Sequence, residues 1–228
     1  MSEKIIPNQK FISNVRVYDL DESIIASGYP MRVDAQMREV EEKDIKRARD
    51  LVKLSKENHA HGQFGTGIRV NFDLKLSNKA WVEAERYRFL EFISSQSTMH
   101  KISKFDLKNQ FNKYVDSRII DIVIAKVERY NRLVANKPDP MLSEYEQELK
   151  DAYLEILYNN PAGFELTARM TTNYRCILNI INQRWNHRLP EWREVCREFL
   201  TLPMMEELIQ LYAPSVDLDK LKAEEYID

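Results

Sequence analysis

The sequence is short of glycine and cysteine, has no excess of either charge, and lacks any long apolar run. Each shortage removes a class of function. Five glycines in 228 residues leave no GxGxxG and no GxxxxGK[ST], so the common backbone cradles for phosphate are absent. Two cysteines, Cys176 and Cys196, are too few for a disulfide framework or a zinc site of their own, and no metal site is expected. With no secretion signal they read as reduced thiols of a cytoplasmic protein. Neither is flanked by an activating signature for a nucleophile. Lys and Arg number 34 against 36 Asp and Glu, for a net charge of -2 and a pI ≈ 6.2. No global basic field favours duplex nucleic acid. No apolar stretch approaches the ~20 residues of a membrane span, and residues 1–10 lack the apolar run of a signal peptide.

What remains is a chain that is 43% hydrophobic and 31% charged, enough for a sizeable core. No linker or internal repeat divides it, so a single domain over 1–228 is expected, with 1–14 as a loose arm. Residues 15–19 suit a first strand, and 37–56 a charged surface helix. His59 to Gly67 is a turn-rich loop holding three of the glycines. The clearest strand follows at 68–76: Ile68, Val70, Phe72, Leu74 and Leu76 alternate with Arg69, Asn71, Asp73 and Lys75. Ser77 is a good N-cap for a helix from Asn78 to about Ile93, carrying Arg86-Tyr87-Arg88 near its end. A polar break at 94–98 comes next. Helices are expected at 107–134 and 142–157. The first should be largely buried through Ile119, Ile120, Ile122, Val123, Ile124 and Val127. A turn at Asn159–Gly163 leads to a second alternating strand, 164–171. The fold class read from this order is α+β, an antiparallel sheet flanked by helices.

The segment 172–193 reads as a helix, a break and the start of another helix. Ile177, Ile180, Ile181 and Arg184 fall on one helical face, so Arg184 extends an apolar stripe. Arg175, Asn179 and Gln183, spaced by four, form a polar stripe beside it. An inward guanidinium is costly unless paired. Two readings stand: a structural ion pair, or a ligand anion or carbonyl held by the planar donor fork. The nearby acids Glu191 and Glu194 lie beyond Pro190, so no partner is available on the same helix.

The order of these signals resembles the flavin-dependent thymidylate synthases over residues 59–101 and 161–200. That family has a His before a strand, a helix ending in Arg-His-Arg and a Ser-containing loop; here these are His61, the strand 68–76, Arg86-Tyr87-Arg88 and Gln96-Ser97. It later has Asn-x-Arg, a His or Asn, and an Arg; here these are Asn173-Tyr174-Arg175, Asn179 and Gln183-Arg184, followed by Pro190-Glu191-Trp192-Arg193. From His61 to Arg86 the spacing matches without a gap, and one extra residue precedes Ser97. The resemblance implies that His61, Arg86, Tyr87, Arg88 and Asn179 lie on FAD. It places Gln96, Ser97, Arg175 and Arg184 on a pyrimidine nucleotide, with Arg184 as the catalytic group. It implies a homotetramer with the flavin at subunit interfaces, located in the cytoplasm (the host's, for a viral source). The implied reaction is C5 methylation of dUMP or a close relative, using methylenetetrahydrofolate and NADPH. C5 hydroxymethylation and a non-catalytic nucleotide- or partner-binding relative are the alternatives.

The departures lie on the nucleotide side. Tyr87 stands where the signature has His. Glu83 replaces a glutamine. Met99 and His100 stand where Arg and Tyr follow the Ser, with Lys101 as a substitute cation. Leu157 occupies the place, four before Pro161, of an arginine that grips the phosphate, and Arg169 is a further substitute. Plainer readings stay open: His61 as a cap of its turn, Arg86 and Arg88 as solvated charges among Glu83, Glu85 and Glu91, and Ser97 as a helix cap.

Overall fold

The computed structural model describes residues 3–55, 59–140 and 142–223. Its strands are β1 (Glu3–Ile6), β2 (Ile12–Tyr18), β3 (Arg69–Ser77), β4 (Glu91–Ser95) and β5 (Glu165–Asn173), in one sheet of order β1-β2-β3-β5-β4. The helices are α1 (Leu20–Ala26), α2 (Glu42–Leu54), α3 (Asn78–Ala84), α4 (Thr98–Lys101), α5 (Ser117–Ala135), α6 (Ser143–Tyr158), α7 (Tyr174–Arg184), α8 (Pro190–Phe199), α9 (Met205–Tyr212) and α10 (Leu218–Ala223). This is the expected mixture of helices and antiparallel sheet. The chain divides into two compact units. The first comprises Met1–Lys75, Glu83–Ser94 and Ala168–Asp228, and the second Leu76–Val82 and Ser95–Thr167.

In the first unit the alternation of β3 does what it promised: Val70, Phe72 and Leu74 are fully buried, and β2 pairs beside it, antiparallel, from Ile12↔Leu74 to Tyr18↔Arg69. Residues 3–6 correct the loose arm. They pair with β2 from Glu3↔Tyr18 to Ile6↔Val15; Met1 and Ser2 lie outside the described residues. The arm is held by contacts far along the chain. The Glu198 carboxylate accepts from the backbone N–H of Phe11 (3.1 Å) and Ile12 (2.7 Å), and Gln9 Nε2 donates to Thr201 Oγ1 at 2.9 Å. Four residues with no periodicity gave no local sign of this.

The expected helix 37–56 narrows to α2, which opens with a reciprocal capping box between Glu41 and Asp44; Lys56 lies outside the described residues. Buried Asp44 accepts from Arg38 Nη2 at 2.9 Å and Arg47 Nη2 at 2.7 Å. Arg47 also donates to Ile24 O and Ser27 Oγ, each at 3.1 Å, and so satisfies the end of α1.

Two further corrections concern element length and burial. The helix expected over 78–93 stops at Ala84; Ser77 Oγ accepts from Ala80 N as its N-cap (3.3 Å), but Tyr87 N–H turns back to Ala84 O and Leu90 N–H to Tyr87 O. Residues 91–95 then form strand β4 at the sheet edge, so pairing overrides helix propensity there. In the second unit, α5 begins only at Ser117, where Asp116 caps it through the Arg118 N–H at 2.9 Å. Of its expected buried face only Val123 and Val127 are buried, packed with Ile102, Leu107, Ile156 and Phe164. Ile119 and Ile122 are 42% and 53% exposed. Five apolar residues in six cannot share one stripe at 3.6 residues per turn. Among the described residues no helix is long and apolar enough to cross a membrane.

Candidate functional site

The site is built from α7 upward. Asn173 caps the helix by accepting from the Cys176 N–H at 2.9 Å. Ile177, Ile180 and Ile181 are fully buried on the inner face, and the same stripe delivers Arg184 in the last turn. The C-terminal end of a helix suits a cation, by about 0.3–1 kcal/mol. The Arg184 side chain is 15% exposed and its Nη1 donates to Glu83 Oε2 at 2.8 Å; Glu83, from the last turn of α3, is 17% exposed. Arg184 Nε donates to the Tyr87 hydroxyl at 2.9 Å. The guanidinium also lies 5.4 Å from the Trp192 ring and 5.7 Å from the Tyr87 ring, within cation–π range.

His187 completes the cluster from the turn after α7. Its Nδ1 accepts from the Leu189 N–H at 3.2 Å, and its Nε2 lies 2.7 Å from Arg184 Nη1. Nε2 lies 3.2 Å from Glu83 Oε2, so Arg184 and His187 converge on one carboxylate oxygen. Arg193 Nη1 pins the turn by donating to His187 O at 2.7 Å. On the other side, the Tyr87 hydroxyl donates to Gln183 Oε1 at 3.0 Å, and Gln183 Nε2 donates to Asn179 Oδ1 at 3.1 Å. Burial raises the Tyr87 phenol above its ordinary value against the opposing pull of Arg184, so it remains a neutral donor and acceptor.

Three expected site residues, Tyr87, Asn179 and Arg184, thus meet in one chain of hydrogen bonds. Arg86 and Arg88 flank Tyr87 in the turn after α3 and are exposed; the early end of α3 frees them from opposite sides of a helix. Neither pairs with a carboxylate among the described residues, and Arg88 stacks 5.5 Å from the Phe89 ring. His61 stands exposed on a cleft of ≈ 470 Å³ with Ser23, Ser27, Gln63 and Thr66, and its ring makes no capping bond among the described residues. Arg175 reaches the same loop, donating to Gln63 Oε1 at 2.7 Å. A cation in the first turn of a helix opposes the dipole, so its place there has no helix-stabilising cause.

Gln96 and Ser97 belong to the second unit. Gln96 is tied to β5, its N–H to Thr167 O at 3.0 Å and its Oε1 to Thr167 N–H at 2.9 Å. Ser97 is extended and leads into α4. Of the two substitute cations, Arg169 is engaged, donating to Asp73 Oδ1 and Asn14 O at 3.0 Å each. Leu157 packs against the apolar cluster of the second unit. Sequence reading missed the roles of Glu83 and His187 as partners of Arg184, although Glu83 stood out as an acid in place of an amide. Among the described residues no cluster of His, Cys, Asp and Glu could hold a metal ion.

Among the solved structures that share this fold are two thymidylate synthases. The crystal structure of flavin-dependent thymidylate synthase ThyX from Helicobacter pylori, complexed with FAD and dUMP, matches with a TM-score of 0.60 and 17% sequence identity, over 95% of this chain and 100% of that chain. A second structure of thymidylate synthase X from Helicobacter pylori, with FAD and dUMP, matches with a TM-score of 0.56 and 15% identity, over 91% of this chain and 96% of that one. No family model and no curated protein matches the sequence. At such identity the likeness is one of fold, and function rests on the site.

Proposed function

We propose that this protein is a flavin-dependent enzyme acting at C5 of a pyrimidine deoxynucleotide, dUMP or a close relative. It binds FAD and uses methylenetetrahydrofolate and NADPH as co-substrates. One observation carries the reading. In a fold shared with two structures that hold FAD and dUMP, α7 links Arg184 and Asn179 to the Tyr87 of the Arg-Tyr-Arg turn.

The residues fit a flavin. Arg86 and Arg88 are exposed cations without carboxylate partners among the described residues, suited to a diphosphate. Buried Tyr87 anchors the turn that carries them. His61 offers an unengaged ring on its cleft. When bound, the flavin supplies the hydride chemistry and the chain supplies position and charge. Arg184 is the group we assign to catalysis. Its Nη2 has no partner among the described residues and can donate to a pyrimidine carbonyl, where fixed donors stabilise developing negative charge. Arg175, Gln96 and Ser97 are assigned to the nucleotide.

Glu83 favours a second reading. Its carboxylate offsets the charge of Arg184, as a changed substrate, a hydroxymethyl product or a non-catalytic nucleotide-binding role would allow. We further propose that both units form one domain, a view supported by the extent of the structural match, and that the protein is a homotetramer of the cytoplasm. The test is direct. The purified protein should absorb near ~450 nm from bound flavin. It should oxidise NADPH when dUMP and methylenetetrahydrofolate are present, and the product's mass separates methyl from hydroxymethyl transfer. A colourless protein that takes up no added FAD overturns the reading.

A further inference from the structure

Three groups of the first unit meet within hydrogen-bond distance of one another. Glu83 Oε2 lies 2.8 Å from Arg184 Nη1 and 3.2 Å from His187 Nε2, and the two nitrogens are 2.7 Å apart. All three side chains are largely buried, so salt and water screen them little. A guanidinium only donates, so the contact from Arg184 Nη1 is a bond only while His187 Nε2 accepts. An ionised carboxylate only accepts, so the contact to Glu83 is a bond only while Nε2 carries a proton. The two bonds exclude each other. A neutral imidazole can make either one, but a protonated ring can make only the bond to Glu83. Its approach to Arg184 then becomes that of two cations. The far nitrogen, Nδ1, faces the Leu189 N–H at 3.2 Å and offers the ring no second acid.

We propose that His187 is a positioning residue for Arg184: when protonated it takes over the Glu83 carboxylate and releases the guanidinium toward the pyrimidine. The bond from Arg184 Nε to the Tyr87 hydroxyl holds one edge of the guanidinium and leaves the Nη1 edge to move. Imidazole is the side chain whose ordinary charge change falls between about pH 5 and 8. The other charged and titratable groups around it are Tyr87 and Cys196, both shifted upward by burial and so neutral there; Arg193 of α8, which donates to His187 O; Lys220 of α10, which donates to Asn186 Oδ1 at 3.1 Å; and, further along α8, buried Glu191 and Glu194, the latter paired with Arg197. The effect on a nucleotide rests on the proposed function; the competition for Glu83 does not.

The test uses the full-length, FAD-loaded protein as wild type, H187Q, H187N and E83Q. H187N keeps an acceptor for the Leu189 N–H and serves if H187Q does not fold. Calorimetric titration of dUMP is run at about pH 8 and about pH 6. The nucleotide phosphate titrates in the same range, but equally for every variant, so the comparison with H187Q removes it. On going to the lower pH, wild type should gain about fivefold or more in dUMP affinity relative to H187Q. By reciprocity dUMP should raise the midpoint of the His187 ring. Ring and side-chain signals in NMR read the switch without nucleotide: the His187 midpoint should fall in E83Q, and the Arg184 Nε–H signal should move with that midpoint in wild type and stay still in H187Q. A purely structural His187 would lower melting and leave the two pH profiles of dUMP affinity parallel. Parallel profiles overturn the proposal, as does an Arg184 signal indifferent to the ring's titration. A protein that binds no pyrimidine nucleotide at either pH sinks the proposed function, and the competition for Glu83 is then decided by the two NMR signals alone.

Discussion

The Arg184–Glu83 pair allows structural and ligand roles to be measured on the same residues. Arg184→Ala removes a charged hydrogen bond to Glu83 at 2.8 Å and a bond to the Tyr87 hydroxyl at 2.9 Å. Both bonds have the charged guanidinium as donor, and each contributes about 1.5–3 kcal/mol. Both side chains of the pair are less than one-fifth exposed, so screening trims these values only slightly. The expected loss is about 3–6 kcal/mol, overlapping the range of about 3–5 for breaking a buried pair. Glu83→Gln keeps an acceptor and removes the charge, at about 1–2 kcal/mol. The double-mutant cycle should return a coupling of about 1.5–3 kcal/mol, read from urea melts of the four proteins. A coupling below about 0.5 kcal/mol would mean that the pair does not form in solution. The same samples test the catalytic assignment. Arg184→Ala should abolish the response of the flavin spectrum to a pyrimidine nucleotide, while Glu83→Gln, which relieves the guanidinium of its counter-charge, should keep or strengthen it. A destabilised Arg184→Ala that still answers to nucleotide refutes the assignment.

Other outcomes follow from the same geometry. Burial alone would raise the Asp44 carboxyl, but hydrogen bonds from Arg38 and Arg47 outweigh it and hold it below its ordinary 3.8; its stabilisation is therefore complete above that value and lost as pH falls beneath it. Asp44→Asn should flatten the acid limb of a stability–pH curve, and an unchanged limb would contradict the assignment. A Cβ on Gly28 would come within 2.5 Å of Arg47 Cζ, so Gly28→Ala must push the guanidinium off Ile24 O and Ser27 Oγ, at about 1–3 kcal/mol in a thermal melt. Arg86→Ala and Arg88→Ala, at exposed unpaired positions, should lower FAD content with melting of the FAD-free protein changed by less than about 0.5 kcal/mol; a large loss of stability would show a structural role instead.

How much was legible in the chain depended on whether the cause was local. The alternation in β3, the apolar stripe Ile177–Ile180–Ile181 in α7 and Pro190 at the start of α8 are local signals, and each element stands where it was expected. β1 and β4 were not legible because their causes are distant: β1 exists through β2 and the anchoring of residues 9–12 by Glu198 and Thr201, and β4 through its place beside β5. In α5 the composition was read correctly as apolar but not its direction, because isoleucines all round a helix do not say which side meets the core. For the site, the spacing of Arg184 on the helix demanded a partner and could not name one. The carboxylate that answers is 101 residues away in the chain.

That carboxylate also bears on what the site can read. A glutamine at this position would present one donor and one acceptor from a single amide. Glu83 can only accept while ionised, but Arg184 Nη1 is bound to it and the same guanidinium keeps Nη2 available. On the proposed reading, acceptor and donor are thus divided between two side chains, and the couple retains the complement of an amide while separating its charges. A pyrimidine edge with a carbonyl beside a ring N–H could still be met, the carbonyl by Arg184 and the N–H by Glu83. A 4-amino group would favour the carboxylate. Titrating dUMP and dCMP into the wild type and Glu83→Gln separates these cases. A carboxylate that reads the base should shift the ratio of the two affinities on conversion to the amide. One that only positions Arg184 should change both affinities by the same factor.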